Sequence, residues 1–99
     1  MAAGFMNCVR ARLKTVELWE EYVAQMESWP RPAGLLSMHI ARTGDRDFCF
    51  VGLWESEAAI AAARPQMIAL LNSQRPMLAE LSSDLGLTDP VSGSLVISN

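Results

Sequence analysis

One histidine, His39, and two cysteines, Cys8 and Cys49, are the only side chains of this chain poised for proton or thiol chemistry near neutrality. An imidazole with an ordinary pKa of about 6.5 can take a phenolic proton or hold an oxyanion, which makes His39 the candidate base. Trp54 closes the apolar run Phe48-Cys-Phe-Val-Gly-Leu-Trp54 and offers a flat wall for a planar ring. Gly52 interrupts that run, and a glycine inside a strand marks a bulge or a close approach to the backbone. The expected site is therefore a hollow over Gly52 between Trp54 and His39, with Ser37 and Phe50 beside it. A filled hollow there would sink the ligand-based readings that rest on it. Tyr22, Trp19 and Trp29 are core or rim aromatics able to touch such a ligand. Arg64 and Arg75 pair with helix acids or guard a pocket mouth. One histidine and two cysteines without CxxC spacing make no zinc or iron ligand set, and no glycine-rich phosphate loop is present. Chemistry here is expected to need no metal, flavin or haem.

These residues need elements to position them. Phe5 to Leu13 reads as a first strand. A helix follows from about Thr15 to Ser28, its stripe Val16, Trp19, Tyr22 with Val23, and Met26 spaced by three and four. Trp-Pro-Arg-Pro-Ala-Gly stops it, because proline disfavours helix at the residue before it. Strands at Leu35 to Arg42 and Asp47 to Trp54 flank a hairpin loop, Thr43 to Arg46. Ser56 is the expected N-cap of a second helical stretch, Glu57 to about Leu85, with Glu57 favoured by the dipole. Pro65 should kink that stretch and Pro76 interrupt it, with Met67 or Ile68, Leu71, Leu78 and Leu81 facing inward. Gly86 is its expected C-cap, and Val91 to Ile97 the last strand. The order βαββαβ is that of an α+β, ferredoxin-like antiparallel sheet carrying both helices on one face.

The hairpin sorts the faces. With Arg42 opposite Asp47, Leu35 opposes Trp54, Ser37 opposes Gly52 and His39 opposes Phe50, all on one face. The other face then holds Leu36, Met38, Ile40, Cys49, Val51 and Leu53, all apolar. Helices cover only one side, so this face predicts a sheet-on-sheet homodimer through Met38, Ile40, Cys49 and Val51. Six side chains at about 1.5 to 3 kcal/mol each give a gross gain on the order of 10 kcal/mol before association costs.

Composition narrows the class. The 99 residues are 51% hydrophobic and only 19% charged, which suits one small domain, residues 1–99, with apolar surface set against a partner. A net charge of −3 and no basic run argue against nucleic acid. No stretch approaches the roughly 18 apolar residues that span a bilayer, and no leader pattern precedes the first arginines, so a cytoplasmic protein with free buried thiols is expected.

The element order, the Pro32-Ala-Gly34 approach to a strand and Gly52-Leu-Trp-Glu-Ser-Glu-Ala-Ala59 resemble the antibiotic biosynthesis monooxygenase domain of the dimeric α/β-barrel superfamily. The resemblance runs from Phe5 to about Val96. It implies a dimeric α/β barrel and a family of cofactor-independent quinol or polyketide-phenol monooxygenases, haem-degrading enzymes and proteins without known activity. It also implies that Trp54 lines a pocket between sheet and helices, where its other role is to plug the barrel end. The family's first-strand asparagine falls on Asn7, or on Val9 when counted from the first helix. The haem-degrading branch uses a histidine on the second helix, and none lies between Glu57 and Leu85. Two functions stay open: a cofactor-free monooxygenase acting on a small planar phenol, hydroquinone or polyketide-like aromatic, and a non-catalytic dimer binding a small hydrophobic ligand or a protein.

Overall fold

The computed structural model describes residues 3–98. Four strands, β1 (Phe5–Arg12), β2 (Leu35–Arg42), β3 (Asp47–Trp54) and β4 (Thr88–Ser94), form one antiparallel sheet in the order β2-β3-β1-β4. Helix α1 (Trp19–Ser28) follows β1 after a 3₁₀ turn at Val16–Leu18, and α2 (Glu57–Gln74) follows β3. This is the ferredoxin-like α+β fold expected from the element order.

Local chemistry accounts for the junctions. Ser56 caps α2, its Oγ accepting a hydrogen bond from the Ala59 amide at 3.2 Å. Gly34 launches β2 with φ +87°, a conformation open to glycine, and a Cβ there would come within 2.5 Å of Ala59 Cβ. Gly34 thus sets both the turn and the close seat of α2. Helix α2 continues through Pro65.

The chain departs from the expected elements towards its end. Helix ends at Gln74, a 3₁₀ turn spans Arg75–Met77, and the helix expected up to Leu85 is absent. Instead Lys14 N–H donates to the Met77 carbonyl and Ala79 N–H to the Arg12 carbonyl, both at 2.8 Å, tying this segment across the end of β1. Leu78 is buried there without being helical, against Leu13. Gly86 has φ +72° in a loop, not at a helix end, and β4 starts at Thr88, three residues before the expected strand.

The largest correction concerns β2. Leu35 does pair with Trp54, but the register then shifts, with Ser37 opposite Leu53, Met38 opposite Gly52, His39 opposite Val51 and Ile40 opposite Phe50. The hairpin sets Arg42 opposite Phe48 instead of Asp47, a one-residue slip that puts each side chain from Ser37 to Ala41 on the other face, and a bulge at Leu36 takes up the extra residue before Leu35. Met38 and Ile40 therefore pack on the helix side against the cluster of Ala11, Tyr22, Met26, Phe48 and Phe50. The uncovered face carries Ser37, His39 and Ala41 beside Cys49, Val51 and Leu53. Met38 and Ile40 are not part of the open face predicted for the dimer; Cys49 and Val51 are.

Candidate functional site

The helix-covered face of β1 and β3 presents Phe5, Asn7, Val9 and Ala11 opposite Trp54, Gly52, Phe50 and Phe48. Near one end, Trp54 is fully buried, and its indole N–H donates to Asn7 Oδ1 at 2.8 Å. An indole nitrogen only donates, so this bond fixes which way the Asn7 amide is turned. Its oxygen faces Trp54, and its NH₂ is left to point elsewhere.

Gly52 makes that bond possible. A Cβ there would lie 2.5 Å from Asn7 Oδ1, 3.0 Å from Trp54 Nε1 and 3.2 Å from Leu35 Cδ1. The space over Gly52 is thus filled by protein, and the hollow expected between Trp54 and His39 does not exist. His39 and Ser37 also lie on the far side of the sheet, His39 exposed to solvent, because the pairing of β2 with β3 runs one residue out of the expected register. Neither residue shares a face with Trp54.

A cavity of about 590 Å³ does open one step along the sheet, between the β1–β3–β4 surface and α2. Asn7, Val9 and Phe50 floor it, Tyr22 and Met26 come from α1, and Leu70, Leu71 and Gln74 from α2. Its volume falls within the range of about 300 to 1,000 Å³ that small-molecule pockets occupy. Asn7 and Val9, the two alternatives for the first-strand position, both line it. Of the seven residues singled out in the sequence, Asn7, Tyr22 and Phe50 line the cavity. Trp54 and Gly52 stand behind Asn7, and His39 and Ser37 lie outside.

The polar groups of the cavity are few. Tyr22 is buried with its ring 4.4 Å from that of Phe48, and burial pushes its phenol well above the ordinary tyrosine value, so it holds its proton. Gln74 is buried as well and donates from Nε2 to Met26 Sδ at 3.1 Å. Arg64 is exposed, lines the cavity and forms no ion pair with a described residue. Arg75 instead donates to Asn72 Oδ1 at 3.0 Å. Among the described residues no carboxylate, histidine or thiol lines the space. Gln74 was missed in the sequence although a signal existed: it continues the Leu70 and Leu71 row at helical spacing, where an apolar residue belongs.

No family model matches the chain, and no curated protein does. Solved structures do match in fold. SnoaB, a cofactor-independent oxygenase from Streptomyces nogalater, superposes with a TM-score of 0.72 at 13% identity, over 98% of this chain and 97% of that one. The monooxygenase from the ActVA-Orf6 gene of Streptomyces coelicolor, solved with the ligand nanaomycin D, gives 0.71 at 18% identity, over 98% and 91%. A dimeric ferredoxin-like protein of unknown function from Thermobifida fusca gives 0.70 at 20% identity, over 96% and 93%. The fold is thus shared by monooxygenases of the antibiotic biosynthesis type and by dimeric ferredoxin-like proteins of no known activity.

Proposed function

We propose that the chain is a monooxygenase that binds a small planar phenol, hydroquinone or polyketide-like aromatic in the cavity between β1 and α2. The observation that carries this reading is the Trp54 to Asn7 hydrogen bond, which turns the amide NH₂ of a buried asparagine away from Trp54 at the edge of an apolar cavity. An oriented donor in a dry site is what a phenolate oxygen, or the oxyanion formed as the ring reacts, requires. In such chemistry the electron-rich substrate anion itself reduces dioxygen, so the protein supplies anion binding, orientation and exclusion of water. Asn7 is the residue placed against the oxygen, Phe50 and Val9 the ring floor, and Trp54 a positioning residue acting through Asn7. Tyr22, which keeps its proton, is the donor available to the product side.

Among the described residues no carboxylate, imidazole or thiol lines the cavity, and on this reading the substrate enters as its anion. Arg64 at the mouth favours that form electrostatically. The same observation favours a second reading, a non-catalytic dimer that binds a hydrophobic ligand in this cavity. Oxygen uptake with a panel of hydroquinones, run beside quenching of tryptophan fluorescence, separates them. The monooxygenase reading expects uptake that Asn7→Ala abolishes and Trp54→Phe lowers. Quenching without uptake selects the binding reading, and neither signal removes both.

The partner proposed for the open face is a second copy of the chain. Its support is the partly exposed row of Met6, Cys8, Val51, Leu53 and Val91, with the dimeric state of the Thermobifida fusca protein of the same fold. Among the described residues no helix is long and apolar enough to cross a membrane. The cytoplasm is the compartment proposed, on the strength of two free thiols.

A further inference from the structure

Cys8 and Cys49 take no part in the cavity. Cys8 pairs with Val51 and Cys49 with Arg10 across β1 and β3, so the two cysteines are diagonal neighbours on the open face. Their Sγ atoms lie 3.0 Å apart, whereas a disulfide bond measures about 2.05 Å. Closure takes about one ångström of side-chain rotation across strands already held in register. Both thiols are free and, in the single chain, partly exposed, so it is the dissociated chain that meets the oxidant. Arg10, opposite Cys49, sets a cation beside the sulfurs while it pairs with Asp89. The hydrogen bond with Cys8 pushes the Cys49 thiol up to about 11, so Cys49 keeps its proton near neutrality and Cys8 is the sulfur that attacks.

We infer that Cys8 and Cys49 are a reversible redox pair that closes to a disulfide between β1 and β3 on meeting a hydroperoxide. In the first step Cys8 Sγ attacks one peroxide oxygen. The S–O bond forms, the O–O bond breaks, and hydrogen peroxide leaves as one water, with Cys8 as the sulfenic acid. In the second step Cys49 Sγ attacks Cys8 Sγ, the S–S bond forms and the S–O bond breaks. The departing hydroxide carries off the Cys49 proton as a second water. Two thiols and one peroxide thus become one disulfide and two waters, the two electrons passing to the peroxide. A dithiol reductant reverses the change by exchange. The link staples β1 to β3 one residue from Asn7, and it rests on strand geometry alone, whatever the cavity binds.

The test treats the reduced full chain with excess hydrogen peroxide, then alkylates it and maps its peptides by mass spectrometry. The expected protein loses two hydrogens, resists alkylation and yields a peptide joining Cys8 to Cys49. Its Tm should rise by about 10 °C, and dithiothreitol should restore both thiols and the original Tm. Cys8→Ser and Cys49→Ser should each abolish the joined peptide and the Tm rise. Thiols that stay open to alkylation, oxidation of each sulfur singly to the sulfinic acid, or links only between copies would each overturn the inference.

Discussion

Trp54 and Asn7 are joined by a buried hydrogen bond that exists only because residue 52 has no side chain. The bond spans β3 and β1 on the covered face, so it holds the sheet together and orients an amide at the cavity in one arrangement. Neither part of the pair serves the site without the other.

Gly52→Ala should break this arrangement, since its Cβ would meet Asn7 Oδ1 at 2.5 Å with Trp54 Nε1 and Leu35 close behind. Overpacking of this kind costs about 1 to 3 kcal/mol. A thermal melt should show Tm lower by about 5 to 15 °C. An unchanged Tm would mean that the amide swings aside freely.

Asn7→Ala should strand the indole N–H in the core. An unmet buried donor costs about 1 to 3 kcal/mol, to be read from urea denaturation as a lower midpoint at unchanged slope. Trp54→Phe removes the donor and leaves Asn7 Oδ1 unmet, so the double variant Asn7→Ala with Trp54→Phe, which removes both groups, should lose less than the two single losses combined.

Tyr22 should make the protein base-labile. Its phenol is raised above the ordinary value of 10.0 by burial, so above pH 10 the unfolded chain has lost the proton that the folded chain keeps. The unfolded state then binds fewer protons, and stability falls as pH rises, by at most about 1.4 kcal/mol per pH unit. Tyr22→Phe should flatten the decline between pH 10 and 11.5. Equal slopes in the two proteins would place the Tyr22 hydroxyl in water.

Arg64 should discriminate by ligand charge. Arg64→Gln should weaken binding of phenolates by about threefold, a small effect because the side chain is exposed, and leave neutral aromatics of the same shape unaffected. Titrations across the ligand's own pKa would measure both. His39→Ala, on the far face, should leave both affinities and the pH profile unchanged.

Val51→Asp should place a charge in the middle of the open face. Light scattering is expected to report a dimer for the wild type and a monomer for the variant. A wild type that is monomeric at micromolar concentration would leave the face without its proposed partner.

Much of this architecture was legible in the chain. The run from Phe48 to Trp54 alternates buried and half-buried residues as a strand does, and Ser56 caps α2 as its position before Glu57 suggested. The face of β2 was not legible. Leu35-Leu36-Ser37-Met38 places apolar residues in both phases, so nothing in their types reveals which leucine is the extra one. The end of α2 was hidden for a related reason. Leu78 and Leu81 continue the helical spacing past Pro76, but backbone bonds from Lys14 and Ala79 draw that segment to β1 instead. The cavity followed neither rule, because its position depends on how far α2 stands from the sheet, which no residue type encodes. Tyr22, Phe50 and Asn7 reach it from three elements, and of the stripe expected on the first helix Tyr22 and Met26 are buried while Val16 and Val23 are exposed.

The bulge at Leu36 has a consequence for how this surface can change over generations. Leu35 and Ser37 already oppose the consecutive residues Trp54 and Leu53, so losing Leu36 would close the ladder and leave Ser37, Met38, His39 and Ile40 on the faces they now hold. Loss of Ile40 instead would be taken up by the bulge residue, drawing His39 in opposite Phe50 and putting Met38 out opposite Val51. In this strand the count of residues, more than the identity of any one of them, decides which compartment of the molecule inherits its only imidazole.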